Sequence, residues 1–173
     1  MDVFIELIKI VLPAGLAIYA MFLVVRSFVF KEIEKLKLEI RGRSIETVLP
    51  NRLQAYERMV LFLERMSPQS LILRLDNGAY SATEFHHLLL NEIRNEYNHN
   101  VSQQVYMSDE AWELIKSAKE DLIMTINEAG MEVDEKSRSI DLGRKIMDKT
   151  ISKPVDPIVN ALIQVKNEIR QTF

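Results

Sequence analysis

Apolar residues crowd the first thirty positions of the chain and then recur at helical spacing through the rest. Of residues 1–30, 23 are apolar, and no charge interrupts Ile10 to Val25. Sixteen residues at about 1.5 Å each give about 24 Å of helix. Val3, Phe4, Ile5, Leu7 and Ile8 before that run, and Phe28, Val29 and Phe30 after it, extend it toward the roughly 30 Å of a hydrocarbon layer. Glu6 and Lys9 stand one turn apart and can pair, while Lys9 and Arg26 can reach headgroups. A cleaved signal peptide needs a basic start and small residues at the cut; here the start is acidic and bulky Phe28, Val29 and Phe30 follow. The pattern predicts an uncleaved transmembrane anchor over residues 1–30. Arg26, Lys31, Lys35, Lys37, Arg41 and Arg43 follow the apolar core and only Lys9 precedes it. The excess of basic residues on that flank places the N-terminus outside and the rest of the chain in the cytoplasm.

Beyond the anchor, Val29, Ile33, Leu36 and Ile40 repeat at spacings of four, three and four. This predicts a helical stalk over residues 31–43, either the seam of a short coiled coil or a helix packed on its own domain. Gly42 is expected to interrupt it and Ser44 to Pro50 to form a connection. Residues 44–173 then read as one domain, a bundle of about five helices. Asn51 caps a helix over Arg52 to Met66 with Leu53, Tyr56, Val60 and Leu63 inward; Val60, Leu61, Phe62 and Leu63 make one whole turn apolar, as in a helix surrounded by others. Ser67 and Pro68 end it, and Ser70 to Tyr80, with the turn signal Asp76, Asn77, Gly78, reads as a loop carrying one helical turn. Ser81 and Glu84 form a capping box for a helix to about Asn98 that buries Phe85, Leu88, Leu89 and Ile93. Ser108 or Asp109 caps the next helix, whose stripe is Trp112, Ile115, Ala118, Leu122, Ile126 and Ala129 and whose stop is Gly130. Ser139 caps a helix over Ile140 to Thr150 with Leu142 and Ile146 inward. Asp156 and Pro157 open the last one, facing the core with Ile158, Leu162, Val165 and Ile169. The fold class is all-α: a transmembrane helix, a short stalk and a helical bundle.

Composition narrows the chemistry. The whole chain is 47% apolar and 27% charged with a net charge of −3. Without its first thirty residues it is roughly 41% apolar, inside the globular range. Absence of Cys removes disulfides, thiolate metal sites, cysteine nucleophiles and the lipid-bearing cysteine of a bacterial lipoprotein. The charge balance offers no basic footprint, so no nucleic-acid partner is expected.

No catalytic pattern stands out: there is no Gly-rich phosphate loop, GxSxG elbow or HExxH pair. His86 and His87 are adjacent, about 100° apart on a helix, and no carboxylate completes a ligand set, so no metal and no cofactor is expected. Glu57 and Glu64, beside Arg58 and Arg65, read as a solvated flank with ion pairs. The unusual stretch is 91–106, where Asn91, Asn95, Asn98, His99, Asn100, Ser102, Gln103 and Gln104 concentrate amides and hydroxyls. Such groups donate and accept together, and suit either a polar ligand or the backbone of an interhelical loop. Glu96, His99, Asn100, Gln103, Gln104 and Trp112 are the candidate interaction residues. A cleft in which Glu96, His99, Gln103 and Gln104 converge would mark a ligand site; Trp112 belongs to a core stripe or anchors a partner.

Two segments, Arg52-Leu-Gln-Ala-Tyr-Glu-Arg-Met59 with Leu63-Glu-Arg-Met-Ser-Pro68, and His99-Asn-Val-Ser-Gln-Gln-Val-Tyr106 with Ser108-Asp-Glu-Ala-Trp112, resemble a family of Bacteroidota proteins with one membrane helix and a helical domain of unassigned function. The resemblance implies a bacterial inner membrane and brings no activity or site residue. The expected role is that of a membrane-anchored scaffold, adaptor or accessory subunit of an inner-membrane complex, with the bilayer and other proteins as partners and no catalysis. The other reading is a membrane-tethered enzyme or ligand-binding regulator using residues 91–106. A third is homo-oligomerisation through the membrane helix and the Val29 to Ile40 seam; Ala14, Ala17 and Ala20 allow close approach although no GxxxG is present.

Overall fold

A computed structural model describes the backbone of residues 2–171 and the side chains of residue 9, residues 11–39 and residues 48–171. The expected Glu6–Lys9 pair, the apolar flank from Val3 to Ile8 and the Ile40 position of the stalk seam lie outside the described side chains. The chain divides into two compact units, Met1–Leu49 and Pro50–Phe173. The described residues form helices α1 (Asp2–Met66), α2 (Pro68–Leu75), α3 (Ala82–Asn100), α4 (Asp109–Met131), α5 (Ser139–Ile151) and α6 (Pro157–Gln171), with a 3-10 segment at Val101–Tyr106. No strand occurs among the described residues, and the class is all-α as the periodicity predicts.

In the first unit, Val11–Glu39 is a stretch of 29 helical residues long and apolar enough to cross a membrane, none of it buried. The helix does not stop where expected. Gly42 does not interrupt it, Ser44 to Pro50 is helical, and Asn51 lies within α1 and caps nothing. A Gly costs a helix about 1 kcal/mol and an interior Pro about 3. Once helix exists on both sides, each added residue needs no new nucleus, which favours continuing through both breakers.

The second unit has its own core. Its part of α1 buries Ala55, Tyr56, Met59, Phe62, Leu63 and Met66. That face is turned slightly from the expected one. Leu53 and Leu61 are exposed and Val60 only half-buried, so the helix is not surrounded. The larger Met59, Phe62 and Met66 side chains, fully buried, decide which stripe points inward. From α3, Phe85, Leu89 and Ile93 are buried and Leu88 half-buried; α4 contributes all six expected stripe residues. Leu142 and Ile146 of α5, and Ile158, Leu162 and Val165 of α6, complete the cluster, with Ile169 packed at its edge. Helices α3, α4 and α5 pack on one another, α6 lies on α4, and α2 joins α3 to α5.

Local chemistry sets the helix ends. Ser67 donates through its hydroxyl to the Glu64 carbonyl at 2.9 Å, ending α1 before Pro68 opens α2. Where a loop was expected, α2 is a two-turn helix held by buried Pro68 and Leu71. Its exit is the expected turn: the Asp76 and Asn77 side chains accept from the Gly78 and Ala79 amides, and Gly78 takes φ +75°. The Ser81–Glu84 capping box is present. A single backbone bridge, Ala82 N–H to the Ser137 carbonyl at 2.7 Å and Ser139 N–H to the Tyr80 carbonyl at 3.0 Å, ties the starts of α3 and α5 together. Ser108 caps α4 by accepting from Ala111 N–H, and Asp156 caps α6 by accepting from Ile158 N–H at 2.8 Å.

Two expected signals do other work. Gly130 sits inside α4 without a left-handed conformation; a Cβ there would stand 3.0 Å from His86 Cδ2. Its smallness admits the imidazole, whose Nε2 is 3.0 Å from Asn127 Oδ1. Ser139 is the first residue of α5 and not its cap. Arg138 occupies the cap position, its N–H bonded to the Asp141 carboxylate at 3.3 Å, while the Ser139 hydroxyl is buried with no partner among the described residues.

Candidate functional site

The amide-rich stretch resolves into several environments. Helix α3 runs two residues further than expected, to Asn100, and the chain then tightens into the 3-10 segment. Asn100 is buried and its amide donates to the Glu96 carbonyl at 2.8 Å, satisfying a group that the helix end would leave open. The Glu96 carboxylate turns to α1, accepting from Arg65 Nε at 2.8 Å, in a surface cluster that also joins Glu92 and Arg74. Trp112 is 7% exposed and stacks on Tyr97, rings 5.8 Å and 27° apart, with Lys119 Nζ 4.1 Å from the Tyr97 ring centre on the ring's face. His99 and Gln104 are exposed, the latter using its backbone carbonyl to accept from Met107 N–H. Of the six candidates, Gln103 lines a cleft.

That cleft, of about 420 Å³, lies between α1 and the 3-10 segment and is walled by Asn51, Gln54, Arg58, Ser102, Gln103, Val105 and Tyr106. Two periodicities make it. Asn51, Gln54 and Arg58 are three and four apart, so they share one face of an α-helix. Gln103 and Tyr106 are three apart on a helix of three residues per turn, where such positions eclipse. Gln103 donates to the Ser102 hydroxyl at 3.3 Å. The wall holds one cation and no carboxylate. The residues from α1 were missed in the sequence, although the polar three-four spacing was there to be read; what was absent was any sign of which loop would face it.

A second concavity of about 390 Å³ lies beside His86, His87, Asn127 and Gly130 and is mostly apolar. Among the described residues no three His, Asp or Glu side chains gather as a metal would require. Glu57 is exposed, whereas Glu64 lies 3.8 Å from Lys166 across to α6.

One further polar knot joins three elements. Glu168 on α6 accepts from the Tyr56 hydroxyl at 2.5 Å, the Ser108 amide at 2.8 Å and the Ser108 hydroxyl at 2.7 Å, while Arg52 donates to Tyr56 at 3.2 Å. Partial burial opposes ionisation of Glu168, yet the Tyr56 and Ser108 hydrogen bonds and the nearby Arg52 charge outweigh it and hold the carboxyl below its ordinary range. Burial, together with the same contact, raises the Tyr56 phenol. The knot fixes α6 and the start of α4 against α1, which is structural work.

These features define an all-α protein: a helix of membrane-crossing length and composition, and a helical domain bearing a polar cleft. A family model matches residues 2–172, and the chain belongs to that family of unknown function (DUF7935). No curated protein and no solved structure matches it.

Proposed function

We propose that the protein is a membrane-anchored helical adaptor: a single pass through a bacterial inner membrane, its N-terminus outside, presenting the bundle in the cytoplasm as a scaffold or accessory subunit of a membrane complex. The observation that carries this reading is the exposed apolar run within Val11–Glu39 of α1. Apolar surface left in water costs about 25 cal/mol per Å², so a run of this length needs lipid or protein around it. The basic residues clustered behind the apolar core support the orientation. Some of the bundle's charged groups tie its elements together in ion pairs, such as Lys149 with Glu132 and Lys153 with Asp121, which suits a rigid binding body. A reporter active only in the cytoplasm, fused after Phe173, tests orientation; silence from a well-expressed fusion overturns it. Purification in mild detergents tests the adaptor role: a stoichiometric membrane partner is expected, and recovery of the chain alone under several conditions counts against it.

A further inference from the structure

We infer that the cleft between α1 and the 3-10 segment binds a small carboxylate, with Arg58 as its anchor. The wall supplies one guanidinium and no opposing carboxylate. The Arg58 side chain makes no ion pair or hydrogen bond among the described residues, and neither do the Asn51 and Gln54 side chains or the Tyr106 hydroxyl. Unlike Arg65 and Arg74, which α3 carboxylates neutralise, Arg58 keeps its charge available inside a concavity. A guanidinium fork matches the two oxygens of a carboxylate in a single plane. One positive charge is balanced by a monoanion, which favours a carboxylate over a doubly charged phosphate.

The neutral wall refines the class. The amides of Asn51, Gln54 and Gln103 each offer donors and an acceptor, and Ser102 and Tyr106 offer hydroxyls. A ligand carrying an N–H or hydroxyl close to its carboxylate would meet partners for both, as an acylated amino acid or the carboxyl end of a peptide does. A volume of about 420 Å³ accommodates one to a few residues of such a chain. The same chemistry has two sources, a free small acid or a peptide terminus, and their lengths separate them. The inference stands apart from the adaptor reading, since the cleft lies wholly within the second unit.

The test uses the full chain in detergent micelles, nitrogen-15 labelled, with N-acetylglycine, N-acetylglycinamide, N-acetyl-tetraglycine and inorganic phosphate as probes. The acids are expected to shift the Gln54 and Gln103 side-chain amides and the Arg58 Nε resonance in a saturable manner, and the neutral amide to leave them unmoved. Tighter binding of the tetraglycine acid identifies a peptide terminus, and equal binding a small acid. Arg58→Gln, at an exposed position where folding is not at stake, should weaken binding by about tenfold to a hundredfold, the usual share of a charge-assisted pair. Gln103→Ala provides a second variant and should weaken it less. An equal response to the amide probe, a response to phosphate alone, no saturable response, or unchanged binding in Arg58→Gln each overturns the proposal.

Discussion

At the scale of single residues, hydrogen-bond partners decide what composition leaves open. Glu168 is one of 25 acidic residues, yet it alone receives both Ser108 groups and the Tyr56 hydroxyl. Its lowered pKa in the folded state means that its stabilising contribution is complete above the unfolded carboxylate value of about 4.3. That contribution disappears as pH falls through the lower folded value. Urea midpoints taken between pH 7 and pH 3 should therefore drop more steeply for the native protein than for Glu168→Gln. Tyr56→Phe should cost about 1–3 kcal/mol at pH 7 by removing a donor from a carboxylate. Ser139 gives the opposite sign. A capping role, as its position suggested, would make Ser139→Ala cost about 1 kcal/mol. Its hydroxyl is buried without a partner among the described residues, so the alanine should instead raise the denaturation midpoint, by about 1 kcal/mol in stability.

At the scale of elements, the amphipathic helices α3 to α6 were legible, whereas α2 and the unbroken course of α1 were not. α3, α4 and α6 carry stripes of three and four spacing with a capping side chain before each, so local and tertiary preferences agree. α2 had too few residues for periodicity to speak, and its helix rests on contacts that no local signal reports. Leu71 is buried in the common core, and Ile72 Cγ2 approaches the place a Gly143 Cβ would occupy to 3.3 Å. Leu71→Ala should lower stability by about 2–5 kcal/mol in denaturant titrations, the range for a fully buried leucine. A change near zero would mean that α2 is a surface appendage. The span from Gly42 to Pro50 erred the other way, because breaker residues were weighed singly against a helix that is already nucleated on both sides.

At the scale of the whole molecule, the apolar segment dominates what can be tested. Each acidic or basic residue placed at the centre of a membrane helix opposes insertion by about 2.5–3.5 kcal/mol. Replacing Leu16, Ile18 and Phe22 together by Asp should shift the protein from the carbonate-resistant membrane pellet to the soluble fraction, and retention in the pellet would argue against a membrane span. The sequence by itself determined the class, the exposed apolar helix and most of the core, because those rest on composition and on a period of 3.6 that any helix must obey. Only the tertiary structure decided the cleft. Asn51, Gln54 and Arg58 lie more than forty residues from Ser102, Gln103 and Tyr106, and their meeting depends on how α1, α3 and the 3-10 segment pack. It also turned Glu96, Asn100 and Trp112 toward structural partners, since a side chain's role follows from what faces it across the core, which spacing along one helix does not encode.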